Sequence, residues 1–294
     1  MHKKWTFLFS LLAFFQIAHC QDHLTYYRIT SSHTSFPDTA RSRGHLYDGV
    51  LYTTAEHYED SNVLIVVPPG FHPSRKVGMI FWFHGWNNNI DTALVHYGIA
   101  RQFAGMGLNM ILVLAETARD APDSYGGKLE QQGTFRGLVS DVLKELVARG
   151  VEGPHARVGQ VILAGHSGGY RVIAGMLSRG GVEVSKVVLF DALYANRDEF
   201  FSWLTASRHH RFIDIYTDHG GTLEETHAFM KQVAAAGIPL DSLEESNLTA
   251  SDVRKDRVIF IHSLHPHDEI IQHPDNFALL LGEGGILKKY RNKK

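Results

Sequence analysis

The 294-residue chain has a single cysteine. No internal disulfide can form, so the fold must rest on its packed core. A charge of one sign is also missing. The 29 Lys and Arg stand against 31 Asp and Glu, a formal net charge of −2. That balance offers no positive field and argues against nucleic acid as a partner. The apolar run near the start, residues 5–18, is only 14 residues long, whereas a transmembrane helix needs about 20. Repeats, low-complexity stretches and Pro/Ser-rich linkers are absent too. What is present is ordinary for a globular chain: 44% hydrophobic and 20% charged residues. Disordered, collagenous and polytopic membrane proteins are thereby excluded.

The N-terminus reads as an export signal. His2, Lys3 and Lys4 form a short basic region, residues 5–18 an apolar core, and Ala18-His19-Cys20 a small-residue site with cleavage before Gln21. Residues 1–20 are therefore expected to be a signal peptide, giving a periplasmic or secreted protein with no stable membrane span once the signal is removed. An uncleaved anchor is one alternative. A lipoprotein lipidated on Cys20 is another, disfavoured because His19 is not the small residue such a site wants. Residues 21–60 are polar and irregular and read as an N-terminal extension packed on the core. Residues 61–294 read as one domain.

In that domain short apolar runs alternate with helical patterns. Strands are expected over 61–68, 77–84, 109–115, 158–164, 186–190, 211–217 and 257–262. Helices are expected over 92–106 (capped by Asp91 or Thr92), 131–150, 168–179, 197–205, 223–236 and 270–281. Continuous apolar strands alternating with helices predict an α/β fold, a mostly parallel central sheet with helices on both faces. Ligands on such sheets bind at the carboxyl ends of the strands, so reactive residues are sought just after each one.

Gly165-His166-Ser167-Gly168-Gly169 follows one strand and opens a helix. This is G-x-S-x-G in its strand-turn-helix setting. The turn is so sharp that side chains two residues either side of the serine would clash, and the hydroxyl stands exposed at the positive end of the next helix. Together with Phe83-His84-Gly85-Trp86 after an apolar strand and a histidine-bearing loop after the last strand, this resembles the α/β-hydrolase superfamily. The likeness spans residues 61–281. Val66-Val67-Pro68-Pro69-Gly70-Phe71 ahead of Phe81-Trp82-Phe83-His84-Gly85 is also similar to secreted esterases of the feruloyl-esterase and polyester-depolymerase type.

The resemblance implies a Ser-acid-His triad with no cofactor. Ser167 is the nucleophile, and the backbone amides of Trp86 and Gly168 form the oxyanion hole, with Asn87, Asn88 and Asn89 placed to line the site. For the base, His267 is preferred over His265, whose backbone the following proline restricts, and over His262, which is expected still in the strand. For the acid, Asp218 after the 211–217 strand is preferred, because His219-Gly220-Gly221 is flexible enough to aim it. Asp191 after the 186–190 strand is the alternative. A metal site at His265, His267 and Asp268 is a rival reading without a second ligand cluster. The expected activity is hydrolysis of a small-molecule or polymeric carboxylic ester. An amidase or peptidase on the same triad is the alternative, as is a catalytically inactive binding protein. The only sizeable insert before the last strand, residues 240–255, is polar and does not resemble a lipase lid.

Overall fold

The structure is a computed structural model and describes residues 23–282. The signal segment 1–20 and the Cys20 alternative lie outside the described residues. The strands are β1 (Thr25–Thr30), β2 (His45–Tyr47), β3 (Val50–Tyr52), β4 (Asn62–Val67), β5 (Lys76–Phe83), β6 (Met110–Ala115), β7 (Arg157–His166), β8 (Lys186–Phe190), β9 (Arg211–Thr217), β10 (Asp241–Glu244) and β11 (Val258–Ser263). The helices are α1 (Thr54–His57), α2 (Ile90–His96), α3 (Ile99–Met106), α4 (Thr134–Ala148), α5 (Tyr170–Arg179), α6 (Arg197–Ala206), α7 (Leu223–Ala235), α8 (Asp252–Lys255) and α9 (Asn276–Leu281).

Nine strands form one sheet in the order β1-β4-β6-β5-β7-β8-β9-β11-β10. Only the β1–β4 and β4–β6 pairings are antiparallel. The apolar runs read as buried on both sides because they are. In β5, Val77, Met79, Phe81 and Phe83 pack toward one face, and Ile80 and Trp82 toward the other. Helices α4, α5, α6 and α7 cover the first face. The second is covered by α2, α3 and α9. No described helix is long and apolar enough to cross a membrane.

Three expectations need correction. The 21–60 segment does not merely lie on the core, because Thr25–Thr30 pairs along the whole of β4 and closes that edge of the sheet. Its polar look follows from the exposed outer position of an edge strand. The helix expected over 92–106 is two helices, broken at Gly98, which adopts a left-handed φ of 59°. Its cap is Asn89, whose side chain accepts from the Thr92 amide, rather than Asp91 or Thr92. The helix expected over 270–281 is confined to Asn276–Leu281, because Pro274 and a left-handed Asp275 precede it. The polar insert 240–255 supplies β10, which adds a parallel edge strand beside β11.

Candidate active site

Ser167 stands between β7 and α5 with a φ of 52°, in the left-handed region that L side chains rarely occupy. The neighbouring glycines make this turn possible. A Cβ on Gly169 would come within 2.7 Å of the Phe83 carbonyl oxygen, and one on Gly165 within 2.8 Å of Ile173. The loop after β5 packs directly on the turn. A Cβ on Gly85 would meet the Ser167 Cβ at 2.5 Å, and one on Gly168 would meet the Trp86 ring and the Ser124 hydroxyl at 2.7 Å. The structure thus brings Trp86, Gly168 and Ser167 together.

A buried ion pair holds that loop from below. His84 Nε2 lies 2.6 Å from Glu116 Oε1, and His84 Nδ1 lies 2.7 Å from the Gly85 carbonyl oxygen. Burial disfavours a charged His84. The Glu116 bond and charge, with the Gly85 carbonyl, outweigh it and hold His84 above the ordinary imidazole value. The asparagines that follow are scaffold. Asn88 is buried and donates to the Tyr97 hydroxyl, Asn89 caps α2, and the Asn87 amide donates to Ala121. None of the three is among the residues lining the pocket around Ser167.

Of the candidate bases, His267 reaches a strand-end carboxylate, with Nδ1 2.6 Å from Asp191 Oδ2. His265 turns away and stacks on His273 with ring centroids 5.5 Å apart. His262 lies inside β11, clamped between Asp218 and Glu244 at 2.9 Å each. Burial works against its charged form, but the two carboxylates raise its pKa.

The carboxylate that meets His267 is therefore Asp191, and not Asp218, which meets His262. The loop after Asp218 explains why. A Cβ on Gly220 would lie 1.6 Å from Asp191 Oδ2, so His219-Gly220-Gly221 wraps the Asp191 carboxylate instead of aiming Asp218. Asp191 is fully buried, turns at a φ of 45°, and accepts from the hydroxyls of Thr217 and Thr222 as well as from His267. Burial alone would push its carboxyl up. The His267, Thr222 and Thr217 bonds overcome that and keep it below the ordinary carboxylate range.

His166, inside the serine motif, props the loop that carries His267. Its Nε2 lies 3.0 Å from the His267 carbonyl oxygen, and its Nδ1 lies 3.3 Å from the Tyr97 hydroxyl. The carbonyl can only accept, so Nε2 carries the proton and Nδ1 accepts from Tyr97. Burial and the nearby His267 push its pKa down to about 3, which keeps it neutral.

A pocket of about 200 Å³ surrounds the serine, lined by Trp86, Ser124, Ser167, Gly168, Tyr170 and Tyr194. Ser124, Tyr170 and Tyr194 are additions to the set read from the sequence. Tyr194 donates to the Gly220 carbonyl. Burial, with the Asp191 charge, pushes its phenol up to about 12. It was findable, since it lies in the loop that follows β8. The metal reading changes in membership. The described residues whose ligand atoms converge are His166, His267 and Asp268, within 4.8 Å. His265 is not in that cluster, because its ring points to Glu245.

No protein-family profile and no curated protein sequence matches the chain. Solved structures do resemble it. A ferulic acid esterase is 12% identical, covering 90% of this chain and 99% of that one, with a TM-score of 0.52. The fold is the α/β-hydrolase fold. A mutant feruloyl esterase module from Clostridium thermocellum, complexed with sinapinate, is 11% identical over 90% of this hydrolase-fold chain and 89% of that one, with a TM-score of 0.54. An S-formylglutathione hydrolase from Staphylococcus aureus is 10% identical over 87% of this chain and 99% of that one, with a TM-score of 0.50.

Proposed function

We propose that this chain is an exported serine hydrolase that cleaves a carboxylic ester through Ser167, His267 and Asp191. The observation that carries the reading is the 2.6 Å bond from His267 to the buried Asp191, set beside a serine in a left-handed turn. That bond fixes the proton on Nδ1 and leaves Nε2 as the basic nitrogen. Ser167 Oγ attacks the ester carbonyl carbon while His267 Nε2 takes the hydroxyl proton. The developing oxyanion is held by the Trp86 and Gly168 amides, and such donors are each worth about 3–4 kcal/mol. Collapse breaks the acyl–oxygen bond, and His267 returns the proton to the leaving alcohol. Water then attacks the acyl-serine with His267 again as base, releasing the acid and restoring Ser167.

Ester specificity is supported by the esterases among the similar structures. Export rests on the sequence of residues 1–20. A fluorophosphonate probe should label wild type and not Ser167→Ala, and the wild type should hydrolyse an activated acetate ester. A labelled Ser167→Ala protein, or variant turnover within about tenfold of wild type, would remove the serine mechanism, because loss of a nucleophile costs several orders of magnitude. Hydrolysis of anilides in preference to esters would move the reading to an amidase.

A further inference from the structure

Eight large apolar side chains stand exposed among the described residues, and five of them are close together. Leu46, Tyr47, Val50 and Leu51 belong to the β2–β3 hairpin, and Trp86 borders Ser167. The five are between 42% and 68% exposed. Monomeric proteins seldom leave such a cluster uncovered without a binding role. The hairpin is a sheet of two strands only, in which Leu46 lies opposite Leu51 and Tyr47 opposite Val50. Successive residues alternate sides, so both faces of the hairpin are apolar. Its base is fixed by the 2.7 Å Arg41–Asp123 ion pair, next in sequence to the Ser124 hydroxyl that accepts from the Trp86 indole. Its tip reaches the pocket through Tyr47, whose ring meets that of Trp86 edge-on at 5.3 Å.

The pocket size makes this wall matter. About 200 Å³ is below the roughly 300–1,000 Å³ of a site that engulfs a drug-sized ligand. Only the reacting end of a larger ester fits, and the remainder must cross the rim. A second cleft of about 350 Å³ lies beside His267, lined by Asp218, His219, Ser263, Leu264, His265 and Pro266. In the mechanism above, which this inference rests on, His267 protonates the leaving alcohol, so the alcohol side faces that cleft. The carbonyl oxygen lies on the Trp86 and Gly168 amides, and the acyl side runs toward Trp86 and the hairpin.

We propose that the β2–β3 hairpin is the acyl-chain shelf of the site and that the substrate is an ester of an apolar acyl group longer than the pocket. A second copy of the chain is the weaker occupant. Four side chains cannot supply the roughly 800 Å² per partner of a standard interface, whereas continuity with Trp86 directs the patch to the substrate.

The test compares wild type with the triple variant Leu46→Ser, Val50→Ser, Leu51→Ser, all exposed positions outside the catalytic set, on p-nitrophenyl esters from acetate to decanoate. The variant should match wild type within about twofold on acetate and lose at least about tenfold in kcat/KM on decanoate, mostly through KM. An equal loss at every chain length, no loss on decanoate, or a wild-type dimer that the variant abolishes would overturn the shelf. Acetate turnover and fluorophosphonate labelling report the serine mechanism separately, so either reading can fail alone. Binding of free decanoate, followed by tryptophan fluorescence, needs no turnover. It should shift the wild-type emission and leave the variant unchanged, and no shift in wild type would also overturn the proposal.

Discussion

The imidazole of His166 donates to the backbone carbonyl of His267 across 3.0 Å, so the residue before the serine fixes the height of the loop that carries the proposed base. The chain of contacts continues through the Tyr97 hydroxyl to Asn88 in the loop after β5. One set of neutral hydrogen bonds therefore joins the three segments that converge on the serine.

Tyr97→Phe tests that linkage. The change deprives His166 Nδ1 of its donor and Asn88 of its acceptor, and a buried orphaned group costs about 1–3 kcal/mol. The melting temperature should fall by several degrees. On a short ester kcat should drop about tenfold with KM unchanged, because the base loop is loosened while the pocket is not touched. A full kcat with the lowered melting temperature would make Tyr97 structural only.

Asp191→Asn and Asp218→Asn separate the two strand-end carboxylates. An amide at 191 keeps the shape and favours the wrong tautomer of His267, with an expected loss on the order of 10⁴ in kcat by analogy with the serine-protease triad. Asp218→Asn touches the His262 clamp and should leave kcat within about tenfold. The reverse pattern in steady-state kinetics would return the role to Asp218.

Stability should fall as pH rises, for two reasons that can be told apart. His84 is raised above its unfolded value near 6.5, so the stability from its Glu116 pair is full below that pH and is lost as pH climbs through the folded value. Asp214 is buried and unionised, pushed up to about 8 by burial, with the Asp191 charge adding and the Thr226 bond opposing. Below about pH 4 both states hold its proton. Between about 4 and 8 only the folded state does, so stability declines by an amount on the order of 5 kcal/mol. Melting temperatures of Asp214→Asn should fall less between about pH 5 and 8 than those of wild type. Parallel curves would show that Asp214 ionises normally.

Activity should persist in EDTA. His166, His267 and Asp268 converge, but His166 already spends Nε2 on a carbonyl. Activity lost to the chelator and restored by zinc would make this a metallohydrolase.

The parallel strands were legible because each is apolar along its whole length, and Ser167 because its glycines are forced by close packing on the turn. His267 was reachable from Pro266, which constrains its rival. The acid was not. Asp191 and Asp218 both end parallel strands, and the choice depends on how Gly220 folds against a carboxylate far earlier in the chain. Such packing leaves no local pattern. Nor did the hairpin, whose exposed Leu and Val break the usual association of apolar residues with the core. The edge strand β1 was missed for the opposite reason, since Thr25–Thr30 is largely solvent-facing.

That edge strand bears on how the chain tolerates trimming. Strand β4 is buried from Val63 to Val67, and β1 satisfies the backbone groups along its outer side. A protease cut after Ile29 would strip this cover and present an uncharged, β-branched ribbon ready to recruit the same ribbon of another molecule. Intermolecular clumping, more than loss of the catalytic geometry on the far side of β6 and β5, is then the hazard of a nicked N-terminus.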